Sequence, residues 1–128
     1  MYPDNLRYTK DHEWVELEGE TATVGITEYA QNHLGDVVYI ELPAVGAQFD
    51  AHKTIGTIES VKAVAEVFSP VSGEVTEVNG ELNNSPEIVN QDPHGKGWII
   101  RLKARNAAEV RDLMSAADYE KYLEGLEA

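Results

Sequence analysis

The stretch Thr54–Phe68, TIGTIESVKAVAEVF, decides the fold of this chain of 128 residues. It is rich in Ile, Val, Thr and Phe, which favour a pleated, half-buried strand. As one strand it would be roughly 50 Å long, more than the roughly 35 Å diameter expected of a compact chain of this size. The segment must therefore fold back near its midpoint, Val61, as a hairpin with Glu59, Ser60, Val61 and Lys62 at its tip.

The predicted tip presents one isolated amine. Lys62 is the only lysine or arginine between Lys53 and Lys96. An amine held in one place can be acylated by another enzyme, which removes its charge. A solvated surface lysine is the alternative, and the tip residues alone do not decide between the two. The tip also lacks the Asn-Gly or Asp-Gly pair that is typical of a two-residue turn.

The composition indicates an acidic globular protein. The chain has 10 Lys and Arg against 23 Asp and Glu, a formal charge of −13, and 42% of its residues are apolar. Such a surface repels nucleic acid and anionic membranes, and it suits either a basic protein partner or simple solubility. Since there is no Cys, disulfides, thiolate metal sites and thiol catalysis are excluded, and redox chemistry would require an added group.

No segment of the sequence predicts export or membrane insertion. The N-terminal sequence MYPDNLRYTKDHEW lacks the apolar region of a signal peptide. There is also no apolar run of about eighteen residues, the length that predicts a transmembrane helix. We therefore expect a cytoplasmic protein, or the mature form of an organellar one. The length fits a single domain, residues 1–128.

The hydrophobic pattern predicts many short strands followed by helices. The predicted strands are 6–8, 14–17, 21–26, 37–42, 54–68 bent at its middle, 74–78 and 98–103. Thr27 and Gly35 are suitable end residues for a short helix over 28–34. This order predicts a mainly β fold, a flattened β-barrel or sandwich of short antiparallel strands, with a core at about 8–103 and a helical cover at about 107–125.

Side-chain patterns add detail to this fold. The predicted inward-facing residues are Ala22, Val24 and Ile26, then Val38, Ile40 and Leu42, and then Trp98, Ile100 and Leu102. Ser85 and Pro86 predict the start of a helical turn over 87–90. A capping box is predicted at 106–109, and Ser115 is predicted to cap the final helix.

Three further groups of side chains were candidates for chemistry. In an extended strand His12 and Glu13 point to opposite faces, which favours one inward and one outward side chain. Glu66 shares a hairpin face with Lys62, where it is placed to influence a group carried there; an ordinary outward carboxylate is the alternative. No metal site is predicted, because the four histidines share no ligand spacing. They are His12, His33, His52 and His94.

A series of short motifs runs from about Tyr8 to the C-terminal helix. They include GTIESVKA at 56–63, HEWV at 12–15, VGIT at 24–27, HLG at 33–35, IELP at 40–43, SGEV at 72–75 and GW at 97–98. In order and spacing they resemble the glycine cleavage system H-protein family. The resemblance implies a lipoyl-domain-like hybrid barrel and a lipoyl group in amide linkage on Lys62. It also implies that Glu59, Ser60, Val61 and Ala63 are read by the lipoylating enzyme.

The resemblance further implies a carrier without an active site of its own. In that family the arm takes the aminomethyl group of glycine from a pyridoxal-phosphate glycine decarboxylase and delivers it to a tetrahydrofolate-dependent aminomethyltransferase. Dihydrolipoamide dehydrogenase then reoxidises the dithiol, and a lipoate ligase or lipoyl transferase attaches the arm beforehand. No nucleic acid or membrane is implied, and the carrier is expected to be a monomer.

The resemblance also implies a cleft that holds the loaded arm. Glu13 and His33 would contact its amine there, and Glu66 falls where the family often carries an acid near the arm. Asp11 stands where some relatives have Ser, so a cleft role for position 11 does not carry over.

Other functions remain as alternatives. Lipoyl or biotin carriers of other complexes usually have Asp-Lys-Ala or Met-Lys-Met at the tip, where this chain has Val61-Lys62-Ala63. A lipoate-transfer intermediate, an acidic interaction module and a histidine-based metalloenzyme are the remaining ones. The absence of a glycine-rich phosphate loop and of a Gly-x-Ser-x-Gly motif argues against a self-contained enzyme.

Overall fold

The structure, a computed structural model, describes residues 2–127 and the side chains of 2–126. The strands are β1 Arg7–Tyr8, β2 Glu13–Glu18, β3 Thr21–Ile26, β4 Val37–Glu41, β5 Gln48–Phe49, β6 Thr54–Ser60, β7 Val64–Phe68, β8 Gly73–Val78 and β9 Ile100–Ala104. The helices are α1 Glu28–Leu34, α2 Glu81–Asn84, α3 Ile88–Gln91, α4 Ala108–Arg111 and α5 Ala116–Glu127. None of the helices within the described range has the length and apolar character needed to cross a bilayer.

The described strands form two antiparallel sheets. One has the order β1-β2-β3-β9-β8-β5 and the other the order β4-β6-β7. Both contribute to one apolar cluster, in which Val24 and Leu102 of the larger sheet lie with Ile40 and Ile58 of the smaller sheet. Over residues 2–127 the sheets do not join into a closed barrel. The mainly β prediction is therefore confirmed, in its sandwich form rather than as a barrel.

Helix α1 begins and ends where the sequence predicted. The Thr27 hydroxyl accepts the N–H of Ala30 at 3.2 Å. Gly35 follows the last helical residue with a φ of 76° and donates its N–H to the carbonyl of Gln31. Residues with a side chain rarely adopt this backbone conformation, so glycine ends the helix at low cost.

The predicted inward face of β4 is wrong at its start. Val37 is buried and Val38 is 48% exposed, whereas Ile40 is buried as predicted. The pairing of β4 with β6 shifts register between Val37 and Tyr39. An extra residue of this kind, a β-bulge, inverts the alternation of side chains. Val38 and Tyr39 consequently both reach the outside of the sheet.

The segment between β8 and β9 forms two helical turns where the sequence predicted one. Ser85 ends α2 instead of capping the next turn, and α3 begins at Ile88 after an N-cap at Glu87. Leu82 of α2 and Val89 of α3 are both fully buried in the main core. Helices this short are marginal in isolation, so tertiary packing of these two residues stabilises them.

The predicted capping box at 106–109 is wrong in its second half. Asn106 Oδ1 accepts the N–H of Ala108 at 3.0 Å. The Glu109 carboxylate instead accepts the N–H and the hydroxyl of Ser72, at 2.9 and 3.1 Å. Glu109 therefore ties α4 to the residue before β8. Ser115 caps α5 as predicted, since its hydroxyl accepts the N–H of Asp118 at 3.2 Å.

Helix α5 packs through its aromatic residues. The rings of Tyr119 and Tyr8 stack with centroids 4.8 Å apart. The Tyr119 hydroxyl hydrogen-bonds Thr27 Oγ1 at 2.8 Å and His12 Nδ1 at 2.7 Å. The C-terminal helix is thereby joined to the N-cap of α1 and to the residue that precedes β2.

The smaller sheet has no room for a side chain at Gly56. A Cβ at this position would overlap the backbone carbonyl oxygen of Glu41 on the neighbouring strand. We expect Gly56→Ala to lower the free energy of unfolding by about 3 kcal/mol, because β4 and β6 must separate to admit the methyl group. Urea unfolding followed by circular dichroism measures this change.

Gly80→Ala is the matched control. Nothing lies within 4 Å of a Cβ built there, and its backbone is already helical with a φ of −63°. Its effect should stay within about 1 kcal/mol. Equal unfolding free energies for the two variants would contradict the packing assigned to Gly56.

Candidate functional site

Strands β6 and β7 form the predicted hairpin, and Lys62 lies in its turn. Glu59 pairs with Val64, and the Ser60 N–H donates to the Ala63 carbonyl at 2.8 Å. Glu59 therefore belongs to the strand, and the turn starts one residue later than predicted. Lys62 itself is exposed.

Ser60 shapes the turn in place of an Asn-Gly pair. Its hydroxyl oxygen accepts the N–H groups of Lys62 and Ala63 at 3.2 and 3.1 Å. The same hydroxyl donates to the Ala63 carbonyl at 3.2 Å, and the residue is buried. A serine hydroxyl that bonds the backbone two or three residues further on stabilises a turn locally. Sequence reasoning named Ser60 for enzyme recognition and missed this structural role.

The turn is held against the end of α1. The Val61 N–H donates to the Asp36 carbonyl at 3.0 Å. The Lys62 side chain lies over Gly35, so that a Cβ on residue 35 would come within 3.2 Å of Lys62 Cε. Among the described residues Lys62 forms no ion pair. Gly35 thus ends α1 and also leaves space for the lysine.

Glu13, the first residue of β2, is a buried carboxylate. It lies beside the end of β7 that is farther from the turn. It is 2% exposed, its Oε1 accepts the Thr9 hydroxyl at 2.7 Å, and its Oε2 accepts the Phe68 N–H at 3.2 Å. Burial raises the pKa of Glu13 to about 7, and the two hydrogen bonds act in the opposite direction. Phe68 lies roughly 13 Å along β7 from Val64, the first residue after the turn.

A row of rings runs beside α1. His33 is exposed, its ring stacks on Tyr29 with centroids 4.0 Å apart, and His12 lies on the Tyr29 ring at 4.5 Å. His12 has a φ of 68°, so it is not extended as predicted, and this left-handed residue precedes the buried Glu13. The row connects the helix end near Gly35 with the start of β2.

Glu66 lies on β7 between the turn and the strand end near Glu13. It is exposed, and its carboxylate accepts the Thr54 hydroxyl at 3.4 Å. Within the described part of the chain it forms no hydrogen bond with Glu13 or His33. The contacts among the described residues therefore place Glu13 beside the end of β7 and Glu66 at an exposed position of the same strand, and they join neither carboxylate to His33.

Thr9 is a site residue that sequence reasoning missed. Its hydroxyl donates to Glu13 and accepts the N–H groups of Asp11 and Glu13, both at 3.2 Å. No sequence motif indicates that a threonine four residues before a glutamate donates a hydrogen bond to it. Thr9 and Asp11 also line a cavity of about 480 Å³ that extends toward Met114. Residues 2–127 contain no group of three or more His, Asp or Glu side chains placed to hold a metal ion.

Comparisons with known proteins agree on one family. A family model described as Glycine cleavage H-protein matches residues 6–126. The glycine cleavage system H protein of Halothermothrix orenii is 50% identical over 98% of both chains. That of Chlorobaculum parvum is 56% identical over 91% of this chain and 93% of its own. The crystal structure of a glycine cleavage system H protein from Mycobacterium marinum superposes with a TM-score of 0.88, at 33% identity, and covers 96% of this chain and 99% of that one.

The buried carboxyl group of Glu13 makes stability depend on pH. Its pKa rises from an ordinary 4.5 to about 7 on folding, so the folded state binds a proton that the unfolded state has lost in this window. The free energy of unfolding should therefore fall as pH rises from 4.5 to 7, by about 3 kcal/mol. Glu13→Gln carries no titrating proton and should lack this decrease. Urea unfolding of both proteins between pH 5 and pH 8 measures the difference.

Glu18→Gln controls for loss of a carboxylate, because Glu18 is an exposed residue of the same strand. The free energy of unfolding of wild type minus that of Glu13→Gln should fall as pH rises, whatever the constant difference between the two proteins. A difference that is flat over the whole pH range would contradict the assignment.

Proposed function

The chain belongs to the glycine cleavage H-protein family, and we propose that Lys62 is the residue on which it carries a lipoyl group. Its function is that of a lipoyl carrier in the glycine cleavage system, given the match to H proteins over nearly the whole chain. The observation that supports Lys62 is its position as an exposed amine in a hairpin turn, free of ion pairs among the described residues.

The turn fits covalent attachment of lipoate. When bound, the lipoyl group supplies the disulfide chemistry that a chain without Cys lacks. Ser60 holds the backbone of the turn, and the Asp36 carbonyl holds Val61. These contacts fix the backbone of the proposed attachment point, from which the exposed Lys62 side chain extends over Gly35.

Glu13, His33 and Glu66 form the proposed resting place for the loaded arm. Glu13 is held in place from both sides, by Thr9 and by the end of β7. With a pKa of about 7 it is partly protonated near neutral pH. A protonated amine beside it would favour the charged carboxylate, and the resulting charge-assisted hydrogen bond is a strong one. His33 and Glu66 are exposed, and we assign them to the border of this resting place.

The partners follow from membership of the glycine cleavage system. The carrier meets the glycine decarboxylase, the aminomethyltransferase and dihydrolipoamide dehydrogenase in turn, after a lipoate ligase or lipoyl transferase has acted on it. Moving the arm from the resting place to a partner requires only a modest difference in affinity between the two positions. The formal charge of −13 favours association with basic partner surfaces.

Lipoylation tests the assignment of Lys62. Co-expression with a lipoate ligase and lipoate should add one lipoyl group per chain, on the peptide that contains Lys62, because this amine is presented without a competing ion pair. Lys62→Arg should remain unmodified, and Lys53→Arg, which removes the nearest preceding lysine, should be modified like wild type. Intact mass and peptide mapping give the result. If Lys62 stays unmodified under conditions that fully modify a control lipoyl domain, the proposal is wrong.

The lifetime of the loaded carrier tests the resting place. Glu13→Ala should shorten it by roughly tenfold in the absence of partners, because one charge-assisted hydrogen bond to the cargo amine is lost. Release of ammonia and formaldehyde from the isolated, loaded protein measures the lifetime. Glu16→Ala, on the same strand, is the control. Equal lifetimes for wild type and Glu13→Ala would count against the resting place.

A further inference from the structure

The outer face of the smaller sheet forms a continuous surface beside Lys62. Residues directly opposite each other in paired strands share a face. Tyr39 on β4 pairs with Glu59 on β6, which in turn pairs with Val64 on β7. All three are exposed, Tyr39 by 51% and Val64 by 66%. They form a row across the sheet immediately next to the turn.

A second row lies two residues further from the turn, roughly 7 Å away. It consists of Glu41, Thr57 and Glu66, which pair in that order across the three strands. The opposite face of the same sheet carries Ile40 and Ile58, both buried in the core. The two rows therefore belong to the face that other described residues leave uncovered.

The two rows together are termed the carboxylate face. It comprises Tyr39, Glu41, Thr57, Glu59, Val64 and Glu66. Tyr39 and Val64 are exposed apolar side chains on either side of Glu59, and Val61 of the turn is exposed as well. Glu59 lies in the same row as Tyr39 and Val64, and Glu41 and Glu66 lie in the second row. None of these three carboxylates forms an ion pair within residues 2–126. Apolar side chains with unpaired charges of one sign are complementary to a partner patch framed by Lys and Arg.

We propose that the carboxylate face is the docking surface for the enzyme that attaches lipoate to Lys62. This enzyme would place an apolar patch on Tyr39 and Val64 and basic side chains against Glu41, Glu59 and Glu66. The inference rests on the proposed function of Lys62. It adds Tyr39 and Glu41, which lie on β4, outside the turn that the sequence motif marks.

The chemistry of attachment favours this occupant over the other partners. An amide bond forms between Lys62 Nζ and the carbonyl carbon of a lipoyl adenylate made from lipoate and ATP. The acyl–oxygen bond breaks, AMP leaves with its electron pair, and the amine loses a proton to solvent. The attaching enzyme must therefore reach Nζ itself, within one lysine length of the turn. Enzymes that act on the sulfur atoms meet the far end of the arm and need not cover these rows.

Charge reversal on β4 tests the docking surface. The assay combines the unmodified chain with purified lipoate ligase, lipoate and ATP, and follows the mass increase. Glu41→Lys should lower kcat/KM for lipoylation by about tenfold, and its rate should depend less on salt than that of wild type, because an attractive charge pair is lost. Tyr39→Ser should lower kcat/KM without changing the salt dependence.

Glu18→Lys is the matched control, since it makes the same charge change at an exposed strand residue of the other sheet. Its kcat/KM should stay within about twofold of wild type, because its contribution is long-range only. Thermal melting verifies that each variant is folded. Glu41→Gln, which should show a smaller loss in the same direction, takes the place of Glu41→Lys if the reversal unfolds the sheet.

Three outcomes would overturn the inference. The first is equal lipoylation of Glu41→Lys and Glu18→Lys. The second is unchanged lipoylation with slowed glycine–bicarbonate exchange, which would assign the face to the glycine decarboxylase. The third is self-association of wild type that Tyr39→Ser abolishes, which would assign it to a second copy of the chain. A wild-type chain that is not modified on Lys62 at all would contradict the proposed function instead.

Discussion

The hydroxyl of Ser60 is the contact on which the site depends. It satisfies two backbone N–H groups of the turn and is itself buried, so the turn closes without a glycine. Below it, Ile58 and Val67 anchor the two hairpin strands in the core. Beside it, the carbonyl of Asp36 holds Val61. These contacts fix the backbone beneath Lys62, which is what the proposed attachment of an arm requires.

The carboxylates near the smaller sheet differ in their surroundings. Glu13 is buried, hydrogen-bonded at both oxygens, and its pKa is raised to about 7 by that burial. Whether Glu13 is protonated therefore depends on the charge of the group beside it. Glu41, Glu59 and Glu66 are exposed to water, where charges act mainly through attraction over a distance of about 10 Å or less. One kind suits the capture of a small amine, and the other suits the recognition of a protein surface.

Features that depend on neighbouring residues in the sequence were predicted well. The N-cap Thr27 and the terminating Gly35 bound α1 as expected, because both act within one turn of the helix. The hairpin followed from strand length alone, with its tip displaced by one residue. The inward side of β3 followed from simple alternation, and Ala22, Val24 and Ile26 are all buried.

Features that depend on distant partners could not be read in this way. Val38 is outward because β4 bulges against β6, and Glu109 leaves its predicted capping box because Ser72 offers two donors. Short contiguous motifs along the chain indicated the family, and the stretch around Lys62 predicted the hairpin turn with an exposed lysine in it. These are properties of contiguous sequence. Only the tertiary structure decided that Thr9 and Phe68 hold Glu13 in a buried site, and that Tyr39 and Glu41 share a face with the turn. Glu13 and Phe68 are 55 residues apart and belong to different sheets, and Tyr39 and Glu41 reach their face through the pairing of β4 with β6. Periodicity within one segment carries no information about its contacts with another.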